Sequence, residues 1–237
     1  MQYHLKTLLG IVSGLLITMI SFAQNENKGN MVAFGAADAR SKSDMEQEQK
    51  AAGWVSSLHL NDVAKGERVK NTIVTHLRFI RDWHNEHPFT TVPAGINPAT
   101  GNRLTDLDRQ VIANSAMPAS IHDTLMNGLR RELTPEQVEV ILDKYTVGKV
   151  AFTLNGYRAI VPDLKVDEEA KLLEYLKQAR EQAIDFKNMN QISAIFEIYK
   201  TKCEQYLNSN GRNWKQLYKA YTDAVKAKKA AQKQKQN

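Results

Sequence analysis

Apolar residues recur along most of this chain at spacings of three and four, the period of an α-helix that buries one face. Ser43 or Asp44 is placed to start a first helix, which carries Ala51, Ala52, Trp54 and Val55 and ends near His59. Asn61 or Asp62 caps a second. There Val69, Ile73, Leu77, Ile80 and His84 share a face, while Arg68, Lys70, Arg78 and Arg81 fall mainly elsewhere. His87-Pro88 ends it, because proline removes a donor and disfavours helix in the residue before it. A long irregular stretch follows to about Leu104, with Pro93, Gly95, Asn97-Pro98 and Gly101. Loops of this length inside a domain often serve function.

Three helix starts are written in capping chemistry. Thr105-x-x-Asp108 and Ser120-x-x-Asp123 have capping-box form, and Thr134-Pro135-x-Gln137 adds proline at the first helical position. Ile121, Leu125 and Leu129 line one of these helices; Val138, Ile141 and Leu142 line the next. Between Thr146 and Pro162, Val150, Phe152 and Leu154 alternate as a strand does, while Tyr157, Ile160 and Val161 fit one helical turn. This pattern predicts a short extended piece followed by a short helix. Asp167 is placed to cap a helix through Leu172, Leu173, Leu176, Ala179 and Ala183. Another carries Ile192, Ile195, Phe196 and Tyr199 and stops at Asn208-Ser209-Asn210-Gly211. Trp214, Leu217, Tyr218, Tyr221 and Val225 mark a last amphipathic helix. The expected architecture is all-α: a single compact domain of seven to nine helices, short links packing neighbours antiparallel, and one long irregular loop.

The first twenty-three residues stand apart. Lys6 precedes an apolar run from Leu8 to Ile20, and Ser21-Phe22-Ala23 gives a small–x–small cleavage pattern. Residues 1–23 therefore read as a cleaved signal peptide. The run is shorter than the roughly 20 apolar residues a spanning helix needs. The expected protein is periplasmic or secreted, without stable membrane insertion after cleavage. Residues 24–43 read as a flexible leader, 44–225 as the helical domain and 226–237 as a lysine-rich tail.

This division changes the meaning of the formal charge of +6. Setting aside Lys6 and the five tail lysines leaves a body near neutrality, which is not the profile of a nucleic-acid-binding domain. The tail is either a solvated helix end or a contact for an anionic surface such as a polyuronic acid or lipid headgroups. Cys203 is the single cysteine, so no intramolecular disulfide forms; its place on an apolar stripe predicts a buried thiol.

Chemistry concentrates in Asp82-Trp83-His84-Asn85-Glu86-His87. His84 and His87, with His122 or Asp123, are the nearest approach to a metal set, but Asp123 is accounted for by capping and His84 by the apolar stripe. No metal site, cofactor or catalytic residue is assigned. The chain has no Gly-rich phosphate cradle, Gly-x-Ser-x-Gly elbow, His-Glu-x-x-His or calcium loop. A sugar asks for an aromatic platform with planar polar groups at its edge. Trp83, with His84 and Asn85 beside it and Arg109 and His122 at the rim, is the candidate binding set.

From Trp54 to about Gly211 the chain resembles a family of exported proteins common in Bacteroidetes, the domain of unknown function 3826. The resemblance rests on Leu133-Thr134-Pro135-Glu136-Gln137-Val138-Glu139 with Asp143 and Thr146, and on Tyr157 to Pro162-x-Leu164. It continues through Leu176-x-x-Ala179-Arg180-Glu181-x-Ala183-x-Asp185 and Phe196-x-x-Tyr199-Lys200 with Tyr206-Leu207 before Gly211. After Gly211 this chain reads Arg212-Asn213-Trp214, where the family pattern is closer to Gly-Tyr-Asp. The resemblance implies a secreted or periplasmic helical protein, sugar-binding and associated with polysaccharide use, and carries no catalytic residue with it. The expectation is therefore a carbohydrate-binding or accessory protein of polysaccharide utilisation. The alternatives are a chaperone-like periplasmic helical protein, suggested by Leu133-Thr134-x-x-Gln137, and a metal-dependent or glycan-active hydrolase using the histidines. The oligomeric state is not specified by the sequence.

Overall fold

The computed structural model describes residues 38–98 and 100–234. The expected signal segment, 1–23, and the leader up to residue 37 lie outside the described residues. The chain divides into two units, residues 1–50 and 51–237. In the first, residues 38–50 are helical throughout, so helix begins ahead of Ser43 and takes in the last part of the expected leader.

The second unit opens with helical residues 51–56 (α1), which stop where His59 adopts a positive φ of 50°. There follow α2 (Val63–Glu86), α3 (Asp106–Ser115), α4 (Ala119–Glu132), α5 (Pro135–Tyr145) and α6 (Lys149–Ile160). The last three are α7 (Val166–Ala183), α8 (Met189–Ser209) and α9 (Trp214–Gln234). Among the described residues there is no β-strand beyond one isolated bridge, Ile96 to Arg103, inside the loop between α2 and α3. None of the described helices is long and apolar enough to cross a membrane.

Many of these boundaries follow from local chemistry. Asp62 caps α2 by accepting from the Lys65 amide at 2.9 Å. Thr105 with Asp108 and Thr134 with Gln137 form reciprocal capping boxes, and Pro135 occupies the first turn of α5. Two expected caps differ. α4 starts at Ala119 behind Pro118, so Ser120 lies within the first turn and its carbonyl accepts from Thr124 Oγ1 instead. α7 starts one residue ahead of Asp167. Glu168 reaches back to the Lys165 amide at 3.0 Å, and Asp167 is left facing the positive end of the helix dipole.

The extended piece expected after Thr146 is absent: α6 is one helix. Val150, Leu154 and Tyr157, at i, i+4 and i+7, are its buried face, and Phe152 is 78% exposed. Val150 and Leu154 fit both periods and Phe152 only that of a strand; burial of Val150 and Leu154 with Tyr157 decides for the helix.

Two apolar clusters form the core. α1, α2, α4 and α5 bury Val69, Ile73, Leu125, Leu129 and Ile141 in the first. α6, α7 and α8 bury Leu172, Leu176, Ile195, Phe196 and Leu207 in the second, with Trp214 and Leu217 of α9 leaning against it. Truncating Leu125 or Leu176 to Ala carries the usual cavity penalty of about 2–5 kcal/mol. α2 and α4 approach closely at Gly128, where an added Cβ would meet Thr72 Cγ2 at 2.6 Å. The turn after α7 joins the clusters: Ile184 packs into the first and Phe186 into the second.

Candidate functional site

Asp185, between those two core residues, is buried and collects three histidines. Its Oδ1 lies 3.0 Å from His76 Nε2 and its Oδ2 2.9 Å from His122 Nδ1. Its backbone oxygen accepts from His84 Nε2 at 2.9 Å. His76 Nδ1 in turn meets the Tyr145 hydroxyl at 3.1 Å. An ionised carboxylate accepts only, so His76 Nε2 and His122 Nδ1 both donate to it. Burial pushes the Asp185 carboxyl up, but the two imidazole donors outweigh this and hold it below the usual carboxylate range. His122 is raised, first by its bond to Asp185. His84 is lowered, because burial penalises its charged form. Burial also raises the Tyr145 hydroxyl well above its ordinary value.

The five residues expected to bind a sugar are divided by this arrangement. His84 and His122 meet at Asp185, and Asn85 sits nearby with its Oδ1 accepting from Lys187 Nζ at 2.7 Å. Trp83 stacks on His87 with ring centroids 3.7 Å apart, which covers one of its faces, and its Nε1 is buried without a hydrogen-bond partner among the described residues. Arg109 is occupied with the irregular loop. Its Nε and Nη2 donate to the Val92 carbonyl at 2.9 and 2.7 Å, and its guanidinium lies over Phe89. No group of three or more His, Cys, Asp or Glu side chains among the described residues is arranged to hold a metal.

The larger aromatic concentration lies elsewhere, in a groove of about 590 Å³ between α6, α8 and α9. Trp214 and Tyr218 are stacked at 6.0 Å with planes 29° apart, and Tyr157 tilts against Trp214 at 5.2 Å. Tyr218 is half exposed, and Phe152 faces them from α6. Asn155, Thr153 and Lys200 bring amide, hydroxyl and ammonium groups to the rim, where Lys200 is paired with Glu197 at 2.9 Å and Glu204 adds a second carboxylate. The volume falls within the range of small-ligand sites.

A charged clamp sets this groove. Gly211, at φ 83°, turns the chain out of α8, and Arg212 then reaches back to the start of α7. Its Nε and Nη2 donate to Glu168 at 2.8 and 2.7 Å, and its Nη1 to Asp163 at 2.9 Å. Glu168 is 1% exposed, and the Arg212 guanidinium holds its carboxyl down at about 2. The clamp fixes the α8–α9 turn immediately before Trp214. Sequence reading placed Trp214, Tyr218 and Tyr221 on an amphipathic helix but not in a groove. Phe152, which alternates as a strand residue does in the sequence, stands on the exposed face of α6. Its position off the buried helical face was the signal.

Fold and groove together define a helical protein with an aromatic-lined cleft and a buried carboxylate–imidazole cluster. The chain belongs to the family described as "Protein of unknown function (DUF3826)", whose model matches residues 45–227. The match extends beyond both ends of the resembling segment and takes in most of α9. Comparison with curated proteins gives no match.

Proposed function

We propose that this protein binds carbohydrate in the groove between α6, α8 and α9, as an exported binding or accessory protein of polysaccharide utilisation. The observation that carries the reading is the aromatic surface of Trp214, Tyr218 and Phe152 bordered by Asn155, Thr153 and Lys200. Pyranose rings present apolar C–H faces to aromatic platforms and hydroxyls to amide and charged edges. Signal-peptide character in residues 1–23 supports a periplasmic or secreted site of action.

Titration calorimetry and a glycan array with plant and bacterial polysaccharides test the reading on the full chain. Binding that is lost in Phe152→Ala and Tyr218→Ala, with melting unchanged, is the expected result. These side chains are 78% and 51% exposed, so truncation leaves the core intact. Absence of heat and of array signal across the glycans would sink it.

A hydrolytic reading has one specific support. Asp185 holds His122 through Nδ1, which leaves Nε2 3.7 Å from Glu181 on a side chain that is 25% exposed. That is the orientation in which an imidazole exchanges protons with a substrate. Release of reducing sugar by the wild type but not by His122→Gln would favour it over binding alone.

A further inference from the structure

The aromatic stripe of α9 does not stop at the groove. Trp214, Tyr218 and Tyr221 stand at i, i+4 and i+7, spanning about 10 Å along the helix axis. At about 100° per residue the same face continues through Val225 to Lys228 and Lys229. The change from aromatic to basic occurs within about 12 Å of Tyr221. The only acid of α9, Asp223, is already engaged by Lys219 at 2.6 Å. Lys228, Lys229 and Lys233 are exposed and make no ion pair among the described residues. Trp214 and Leu217 lean on the second core cluster, and beyond them α9 exposes most of its length, with Tyr218, Lys228 and Lys229 all open to solvent.

Resting on the carbohydrate reading, we propose that the ligand is a linear polysaccharide bearing carboxylates, such as a hexuronic-acid polymer. Successive sugar rings lie along Trp214, Tyr218 and Tyr221, and the chain runs on so that its carboxylates meet Lys228 and Lys229. A small neutral sugar would leave the basic end unused. A bilayer would need the apolar face turned outward, whereas Tyr218 and Tyr221 line a groove walled by α6 and α8. Uronate units supply both what the aromatics take, an apolar ring face, and what the lysines take, a repeating negative charge.

The test compares a hexuronate homopolymer with the same polymer after reduction of its carboxyls to alcohols, using the full chain. The acidic polymer is expected to bind roughly tenfold or more tightly, with the advantage fading at high salt. Lys228→Gln with Lys229→Gln should bring its affinity to that of the neutral twin, and Tyr218→Ala should weaken both. Equal affinity for the two polymers, or an acidic advantage that survives the double lysine substitution, overturns the inference and leaves the carbohydrate reading standing. Failure of both polymers and of neutral glycans removes that reading as well. Polyglutamate or anionic vesicles binding as tightly as the hexuronate, unaffected by Tyr218→Ala, would make the stripe a plain polycation and overturn the inference too.

Discussion

The histidines around Asp185 respond to pH in opposite directions because their partners differ. His122 gains a carboxylate and its pKa rises, so its contribution to stability is full below the unfolded value of about 6.5 and is lost as pH climbs through the folded value. His84 meets only a carbonyl oxygen in a buried place and its pKa falls. The unfolded chain therefore takes up the proton first, and stability declines as pH drops below about 6.5 toward the folded value. Asp185, held low, keeps its own contribution until the pH falls through its folded pKa, below the usual 3.9 or so. Melting temperatures measured from pH 5 to 8 should show His122→Gln flattening the alkaline side and His84→Gln flattening the acidic side. Identical profiles for wild type and both variants would show that neither imidazole titrates as placed.

At the scale of elements, the link between α5 and α6 holds a residue the backbone does not favour. Val147 and Gly148 are both left-handed, at φ 54° and 66°. Glycine takes this conformation freely, but a β-branched residue does not. Val147 is 71% exposed, so it returns little by packing. Val147→Asn should raise stability by about 1 kcal/mol, read as a higher denaturant midpoint at unchanged slope. A lower midpoint would mean the valine methyls matter more than the strain. This turn also explains part of what was legible beforehand. Caps at Asp62, Thr105 and Thr134 were readable because hydroxyls and carboxylates act within three residues of the amides they serve. α6 was not, because its start rests on Gly148 rather than on a side-chain cap. Asp185 was hidden for a related reason. It sits in a turn, and no local pattern says that residues 63 and 109 positions away will converge on it.

At the scale of the molecule, Arg212 joins three places: the link after α6, the first turn of α7 and the turn into α9. Removing one partner of a buried pair leaves the other charge unmatched, so Arg212→Ala should cost roughly 3–5 kcal/mol. Adding Glu168→Gln should recover part of that loss. Because the Glu168 carboxyl is held at about 2, the wild-type clamp is complete above the unfolded glutamate value of about 4.3 and fades as the pH falls toward 2. Additive losses in the double variant would dissolve the clamp as an energetic unit. The helical class could be read from periodicity, since each helix declares its own buried face. The groove could not, because it exists only once α6, α8 and α9 are brought together, and Arg212 sets its edge from outside the aromatic pattern.

The three bonds at Asp185 also bear on the order of folding. They close loops of 63, 101 and 109 residues, far longer than any helical contact, and that entropy is spent before the bonds form. Helix pairs with short links can assemble ahead of them, so the carboxylate is fastened late, when both apolar clusters are already in place. Asp185→Asn should therefore speed unfolding while leaving the refolding rate nearly unchanged. A stopped-flow chevron whose folding arm drops instead would place the histidines in the nucleus of the transition state.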